Sequence, residues 1–347
     1  MDLSDITRPG VVLPVKVDPT GVDGPRWREA AGRHWRSPYR GWHVPAGVDA
    51  TDPEQRIVEA AAVLPSGGAV TGWAGLCWAG ARYFDGTGRG GAGWLPVPLA
   101  IDNKRRLRQQ PGIELCEEFL APDDVIVIDG LPVTLHARSV CRLVRAARSL
   151  EDRVRILDMA AFDDLCSPAE VEAYARASLA GRPNVTRIWQ AVPWASENSW
   201  SPMESVMRLA WLQSRRALLL VNTPLFDEGG HHLITPDLLD PIAGVAGEYD
   251  GAPHRGVDPR ERDLDREELY RDLGLELITM MNADLRGRER FVRRLAAAYQ
   301  RARGPRRTGG WTLTPPDWWV DTSTVDRRRA LADREREVWL KRQRPVA

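Results

Sequence analysis

The chain has 347 residues, which is long enough for two or three domains that each bury a hydrophobic core. Acidic and basic residues balance at 48 each, so the net charge excludes a partner that is attracted to the protein as a whole. Nearly all of the basic residues are arginines, since lysine occurs only at Lys16, Lys104 and Lys341. Arginine suits contacts with phosphates and base edges, but the same preference is typical of a GC-rich genome.

The four cysteines, Cys77, Cys116, Cys141 and Cys166, are scattered along the chain without a CxxC pair or a close Cys/His spacing. This pattern argues against a structural zinc site and a disulfide scaffold, and it fits a reducing cytoplasm. Residues 1–5 lack the basic start of a signal peptide, and no apolar run approaches the length of a membrane span. We therefore expect a cytoplasmic protein.

Residues 1–26 contain four prolines and several glycines without a sustained period, which predicts an irregular lead-in. Two short strands rich in aromatic and basic residues follow at 32–36 and 39–45, and we expect Ser37 and Pro38 to join them as a hairpin. Such a hairpin is either the wing of a winged-helix DNA-binding domain or a strand pair that packs its tryptophans on the domain.

Residues 27–195 predict a mixed α/β or α+β region without a convincing catalytic cluster. The clearest helix starts at Pro53, where Asp52 has the place of an N-cap. Helices are predicted at 53–64, 71–81, 139–147, 151–163 and 167–177, and strands at 96–101, 113–116, 125–128 and 131–135.

The pattern becomes sharper after Ser201. Ser201, Pro202 and Glu204 have the spacing of an N-cap, a first-position proline and a capping-box acid, so a helix is predicted to run to Gln213. The later elements are a buried strand at 217–221, a hairpin formed by 225–227 and 232–235, a strand at 242–249, a helix at 260–273 ended by Gly274, a strand at 275–281 and a basic helix at 285–303. The order is therefore helix, three strands, helix, strand, helix.

Acidic residues recur at the ends of these elements. Asp237 enters a strand, whereas Glu248 and Asp250 lie two residues apart at the end of the next strand and therefore share a face. Glu204 opens the preceding helix. Carboxylates from separate elements are how proteins build a site for Mg²⁺ and a phosphodiester, and without a cation their repulsion raises their pKa values. His254, four residues beyond Asp250, could act as a general acid or base.

These residues also have structural interpretations. Glu204 is accounted for by helix capping, Asp237 could be a turn residue after Pro236, and the Glu-x-Asp-Gly unit could simply end a strand. His231 and His232 fall at the tip of a hairpin, where they are either solvated or in contact with DNA. The combination of the acids favours a site over these single explanations.

The element order and its acids resemble the PD-(D/E)xK nuclease superfamily, and more narrowly its branch similar to the very-short-patch-repair (Vsr) endonuclease. The resemblance covers about residues 198–303 and is carried by SPMES, PDLLD, GEYDGAPHR and REELYRDLGLELI. It implies a C-terminal restriction-endonuclease-like domain with an αβββαβ core, followed by a Trp- and Arg-rich tail at 304–347. RGWHVPAG and GLPVTLHARSVCRLVRAA weakly resemble AbiEi-type antitoxins of abortive-infection systems, although residues 1–30 lack the pattern of the helix-turn-helix that begins such proteins.

The resemblance implies a role for each acid. Asp237 matches the metal-binding aspartate of the superfamily's second strand, Glu248 takes the acidic place in the third strand, and Glu204 matches the acid on the first helix. Asp250 stands where the superfamily usually has lysine, and this region of the sequence contains no lysine. The Vsr-like branch also lacks that lysine and works with nearby histidines, which assigns the role to His254. The implied cofactor is Mg²⁺ or Mn²⁺, held by Asp237, Glu248 and Asp250.

The implied activity is that of a Mg-dependent DNA endonuclease in DNA repair or phage defence. The alternative is a non-catalytic DNA-binding or antitoxin-like regulator that keeps the nuclease fold, for which a cognate toxin is an expected partner besides DNA. Arginines are the expected DNA contacts, and Arg266 matches an arginine that related domains place before the last strand. The full set is Arg255, Arg266, Arg290, Arg293 and Arg294. A solvated helix face explains the arginines of the last helix about equally well.

The tail contains Trp311, Trp318 and Trp319, which could stack on nucleobases or anchor the tail across the body of the protein. A charged helix near 324–342 is predicted to follow, with Thr324 as its cap.

Overall fold

The computed structural model describes residues 2–88, 91–215, 217–250, 259–304 and 309–342. Helices and strands occur throughout this part of the chain and its sheets mix parallel with antiparallel pairs, so the fold is α/β, as predicted. The chain divides into two compact units, one formed by Met1–Ala147 and Ala169–Ile188 and the other by Arg148–Pro168 and Trp189–Ala347. In the part of the chain that is described, no helix is long and apolar enough to cross a bilayer.

The first half of the chain alternates short helices with short strands. Its elements are α1 (Trp27–Ala30), β1 (Trp35–Tyr39), β2 (Trp42–Pro45), α2 (Pro53–Ala61), β3 (Ala69–Val70), α3 (Gly72–Trp78), β4 (Val97–Ala100), β5 (Ile113–Cys116), β6 (Val125–Ile128), β7 (Leu131–Thr134), α4 (His136–Ala146), α5 (Leu150–Phe162), α6 (Pro168–Ser178) and α7 (Thr186–Ala191). Within its described residues, the first unit has a five-stranded sheet in the order β5, β4, β3, β7, β6. The predicted mixture of helices and strands in this region is confirmed.

The aromatic hairpin of the first unit forms, but the predicted position of its turn was wrong. Ser37 and Pro38 lie inside β1, and the chain reverses at Gly41, whose φ of +80° favours glycine. Pro38 falls where the register between β1 and β2 is irregular, which is a place where a strand tolerates proline. Arg36 of the hairpin pairs with Glu59 of α2 at 2.5 Å, so the hairpin is fixed to that helix.

The second half of the chain builds a sheet flanked by helices. Its elements are α8 (Pro202–Ser214), β8 (Leu220–Val221), β9 (Leu225–Phe226), β10 (His232–Ile234), β11 (Leu238–Asp240), β12 (Val245–Asp250), α9 (Pro259–Asp272), β13 (Glu276–Met281), α10 (Glu289–Arg301), α11 (Val325–Arg329) and α12 (Asp333–Arg342). Among the described residues, four strands form a sheet in the order β13, β12, β11, β8. β11 is antiparallel to both of its neighbours, whereas β12 and β13 are parallel.

The strand order departs from the sequence prediction in two respects. The strand expected at 217–221 is reduced to β8, and the strand that Asp237 was predicted to enter is β11, an inner strand of the sheet whose bounds the hydrophobic pattern did not indicate. The hairpin of β9 and β10 forms a separate two-stranded sheet. β11 is short because Pro236 and Pro241 flank it and proline cannot donate to a ladder, so β8 pairs with it only at Leu220 and Val221.

Each face of the four-stranded sheet has its own buried cluster, because neighbouring residues of β11 and β12 point to opposite faces. On one face α8 and α10 supply most of the apolar side chains, and on the other α9 and the hairpin do. The indole of Trp211 on α8 donates to the Tyr299 hydroxyl (3.0 Å), which donates to the Asp240 carboxylate (2.7 Å). Gly247 lies against Trp211, since a Cβ there would come within 2.7 Å of the ring. α8 is therefore seated closely on β12.

The C-terminal tail packs on the hairpin. Thr312 exchanges two backbone hydrogen bonds with Phe226 of β9, and the Trp311 indole donates to the carbonyl of Leu273 at 3.0 Å. The ring of Trp319 meets that of Phe226 at 5.0 Å between centroids. These contacts attach the tail to the second unit, as the anchoring interpretation of the tryptophans expects.

The single helix predicted near 324–342 was wrong, because the segment forms two helices, α11 and α12. Thr324 caps α11 as expected, accepting from the backbone N–H of Arg327 at 3.3 Å. Arg328 is buried and donates to Asp164 (2.6 Å), while the Glu335 carboxylate accepts from the backbone of Ala332 (3.0 Å) and starts a new helix. The buried arginine and this second cap fix the break between the helices.

Candidate functional site

Asp237 lies immediately before β11, beside the end of β12. Leu238 pairs with Gly247, and the Asp237 Oδ2 atom accepts from the backbone N–H of Tyr249 at 2.7 Å. The side chain keeps some contact with solvent, yet the protein packed around it desolvates the carboxyl and raises its pKa well above the ordinary value. The negative charges of Glu204 and Glu248 raise the pKa further, and the Tyr249 hydrogen bond offsets this only in part.

Glu204 occupies the third position of α8 and is buried. Ser201 caps the helix as predicted, since its hydroxyl accepts from the Glu204 N–H (3.2 Å). The predicted capping box needs a correction, because the carboxylate accepts from the N–H of Trp200 (2.7 Å) and from the side-chain amide of Asn222 (2.6 Å). Burial raises the pKa of Glu204 to about 7, against the effect of these hydrogen bonds and with a smaller contribution from the charge of Glu248. Glu204 can therefore exchange a proton near neutral pH.

Glu248 lies in β12 and is also buried. Its carboxylate pairs with the Arg266 guanidinium at 2.7 Å and accepts a hydrogen bond from the Tyr270 hydroxyl. Burial raises the pKa of Glu248, while Arg266 and Tyr270 lower it in part. For Arg266, burial works to lower the pKa, but the charge of Glu248 outweighs it and the pKa is raised. Glu248 and Arg266 thus form a balanced pair at the edge of the cluster.

The structure brings Glu204, Asp237 and Glu248 together into what we call the carboxylate cluster. Their charges act on one another, as the sequence predicts for acids that meet without a cation. Asp250 ends β12 with an exposed side chain, and its predicted role as a metal ligand stays a prediction. His254, the predicted general acid or base, lies outside the described residues.

Asn222 is a member of the site that sequence reasoning missed. It adopts φ +44°, which asparagine tolerates better than most residues, directly after β8. Its backbone N–H donates to the carbonyl of Asp237 (3.0 Å) while its side chain holds Glu204. Asn198 and Asn222 also donate side-chain hydrogen bonds to each other's backbone carbonyls. The run from Asn222 to Pro224 indicates a turn in the sequence, but nothing in it indicates contact with two acids.

The predicted histidines of the hairpin lie on its exposed side. The His231 ring Nδ1 is 3.0 Å from the Asp227 carboxylate. The His232 Nε2 atom is hydrogen-bonded to the Thr235 hydroxyl at 2.8 Å, and its ring stacks on Trp319. His232 therefore belongs to the contact between hairpin and tail.

The oxygen-only donor set of the carboxylate cluster suits a hard cation such as Mg²⁺, which needs one or two carboxylates and completes its shell with water. The fit rests on the balance of acids and counter-charges, because three desolvated carboxyls face the guanidinium of Arg266 among the described side chains. Within the described residues, no group of three or more His, Cys, Asp and Glu side chains is gathered closely enough to hold a metal ion. Asp237, directly before β11, and Glu248, in the neighbouring strand β12, are the two carboxylates that would hold a cation.

The arginines predicted to contact DNA fall into three environments. Arg266 pairs with Glu248 of the carboxylate cluster. On α10, Arg290 and Arg293 are exposed, whereas Arg294 pairs with Asp284 at 2.6 Å. Arg255 lies outside the described residues. Two of the predicted arginines thus remain on an open helix surface where a phosphate can approach.

Comparison with family models, curated proteins and solved structures found no match to the chain. The functional argument therefore depends on the geometry and charge of the carboxylate cluster.

Proposed function

We propose that the protein is a metal-dependent DNA endonuclease of the Vsr-like type that hydrolyses phosphodiester bonds in DNA repair or phage defence. The observation that carries the proposal is the carboxylate cluster. Glu204 from a helix start, Asp237 from the entry to β11 and Glu248 from β12 share a desolvated site beside Arg266. Proteins seldom leave buried acids so weakly compensated unless they serve a chemical purpose.

In this proposal Asp237 and Glu248 hold Mg²⁺ or Mn²⁺. When bound, the ion supplies charge neutralisation at the phosphate and makes a bound water more acidic. Glu204 acts as a proton acceptor, because its pKa of about 7 suits proton transfer near neutral pH and Asn222 holds the carboxylate in place. About half of the Arg266 side chain is exposed, so it can reach a phosphate while it still pairs with Glu248.

The second candidate is a non-catalytic DNA-binding or antitoxin-like regulator. One observation favours it: Glu248 is already engaged by the Arg266 guanidinium and the Tyr270 hydroxyl, as in a structural ion pair. In that case the exposed arginines of α10 would contact DNA, and the carboxylate cluster would only shape the domain.

Cleavage of supercoiled plasmid in the presence of Mg²⁺ or Mn²⁺ separates the two candidates. We expect wild type to nick or linearise the plasmid and Asp237→Asn to lose about 100-fold or more of that activity, since a metal ligand is removed. Asp272→Asn, an exposed acid on α9, is the matched control and should cut like wild type. Asp250→Asn tests the ligand predicted from sequence.

Each outcome of the plasmid assay selects one candidate. Absence of cutting by wild type, with DNA binding retained, would refute the nuclease and support the regulator. Cutting that persists in Asp237→Asn would refute the assignment of the carboxylate cluster as the metal site. Loss of cutting only in Asp250→Asn would assign the metal site to the exposed end of β12 instead.

A further inference from the structure

A cavity of about 560 Å³ lies next to the carboxylate cluster and is lined by the hairpin and the C-terminal tail. Its volume falls within the range of about 300–1,000 Å³ that is typical of sites for small organic groups. Its aromatic lining consists of Trp200, Phe226, His232, Trp318, Trp319 and Trp339. Such a concentration of aromatic rings around an open space suits a planar ligand with a π face.

The tail and the hairpin hold these rings in fixed orientations. The Trp319 ring is stacked on His232, with 5.5 Å between centroids and 14° between planes, and it meets the edge of Phe226. Trp318 packs edge-on against Trp319 at 5.6 Å but remains 58% exposed. The tail thus does more than cover the hairpin, because it presents a large part of one indole to solvent.

Two residues that line the cavity also donate hydrogen bonds to the carboxylate cluster. The side chain of Trp200 lines the cavity, and its backbone N–H donates to Glu204 at 2.7 Å. Asn222 lines the cavity as well, and its amide donates to the same carboxylate at 2.6 Å. A group bound in the cavity is therefore separated from Glu204 by a single residue.

We propose that this cavity binds an unpaired nucleobase of a DNA strand whose backbone passes the carboxylate cluster. The inference rests on the proposed nuclease function and names the substrate class as single-stranded or locally unpaired DNA. A base offers a π face to the indoles and a polar edge to the side chains of Thr223 and Ser323, which also line the cavity. In a duplex the bases stay stacked and cannot enter, so paired DNA lacks this contact.

Binding of fluorescent oligonucleotides, measured by anisotropy with EDTA to prevent cleavage, tests the pocket directly. Wild type should bind a single-stranded oligonucleotide about 5- to 150-fold tighter than an abasic strand of equal length, which is the effect of stacking one base. Trp318→Ala should remove most of this difference, while Trp318→Phe should restore much of it because a π face is kept. Trp27→Ala, which removes an indole that is 74% exposed in the first unit, should bind like wild type.

The outcomes distinguish an error in the proposal that the cavity binds a base from an error in the proposed nuclease function. Equal affinity for the base-containing and abasic strands would overturn the pocket, and so would tighter binding of duplex than of single strand. Affinity for a free nucleoside monophosphate equal to that for the oligonucleotide would overturn the strand assignment. If Asp237-dependent cleavage is found without base discrimination, only the pocket fails. If base discrimination that depends on Trp318 is found in a protein that never cuts, only the nuclease fails.

Discussion

The second unit contains two groups of buried acids beside α8 that differ in how their charge is balanced. Asp158 of α5 is fully buried, pairs with Arg208 and also accepts from the Ser205 hydroxyl at 2.5 Å. The site around Glu204 of α8 has three desolvated carboxyls and, among the described side chains, the guanidinium of Arg266 as their counter-charge. The first arrangement is a charge-balanced structural ion pair that joins α5 to α8. The second has more acids than counter-charges, so its pKa values are raised, which is the property expected of a cation site.

The largest effect should come from unbalancing the structural pair. Arg208→Ala leaves the Asp158 carboxylate buried without its counter-charge, so we expect the free energy of unfolding to fall by about 3–5 kcal/mol. Arg301→Ala, which removes a pair with Glu276 at a side chain that is 55% exposed, is the control and should lower it by less than about 1 kcal/mol. Urea denaturation measures both. Similar losses of stability for the two variants would show that the buried pair of Asp158 and Arg208 matters no more than the exposed pair of Arg301 and Glu276.

The pH dependence of stability should further distinguish the carboxylate cluster from the pair of Asp158 and Arg208. The pKa of Glu204 is about 7 in the folded protein and 4.5 in the ordinary state, so the folded form binds more protons between these values. Its contribution to stability is present below about pH 4.5 and is lost as the pH rises through about 7, by on the order of 3 kcal/mol. The raised pKa of Asp237 acts in the same direction.

Unfolding free energies at about pH 5 and about pH 8 measure this loss. Glu204→Gln, which cannot ionise, should show a clearly smaller decline than wild type, and added Mn²⁺ should restore stability to wild type at the higher pH. A decline of the same size in Glu204→Gln would mean that the group does not titrate in this range.

A smaller effect is expected at Asn222. Asn222→Gly accepts the positive φ but loses the hydrogen bond to Glu204, and such a bond to a charged group contributes about 1–3 kcal/mol. Because that bond lowers the pKa of Glu204, the variant should also move the pH midpoint of the stability loss upwards. Denaturation at several pH values gives both quantities. An unchanged midpoint would show that the side chain does not control the protonation of Glu204.

The smallest effect on stability is expected on α10. Arg290 and Arg293 are exposed, so replacing both with alanine should change the free energy of unfolding by less than about 0.5 kcal/mol. If they contact phosphates, the affinity for DNA should fall and the slope of log K against log salt should decrease by about 2. An unchanged salt slope would assign them to a solvated helix face.

Much of the fold could be predicted from local pattern. The caps Asp52, Ser201 and Thr324 mark helix starts in both sequence and structure, because an N-cap depends on residues only two or three positions away. The strand that Asp237 enters was predicted without bounds, because a strand of three residues has no measurable period. Its place in the sheet is decided by packing against β8 and β12.

The candidate site could be predicted only in part for the same reason. The sequence places Asp237 at the entry to a strand and Glu248 at the end of the next, and it offers both helix capping and a catalytic role for Glu204, but it does not indicate that the Glu204 carboxylate turns towards Asn222. That contact joins positions 18 residues apart, and no local pattern encodes it. The cavity beside the cluster depends in the same way on how the tail packs against the hairpin.

Calorimetric titration of Mn²⁺ into the full-length protein near pH 6.5, in two buffers of different ionisation enthalpy, tests the central claim most directly. The protein should bind the ion and release on the order of one proton, because a cation lowers the raised pKa values of the carboxylate cluster. Asp237→Asn should abolish this binding, and Asp272→Asn should leave it unchanged. Absence of Mn²⁺ binding by wild type, or equal binding by Asp237→Asn, would contradict the assignment of the carboxylate cluster as a cation site.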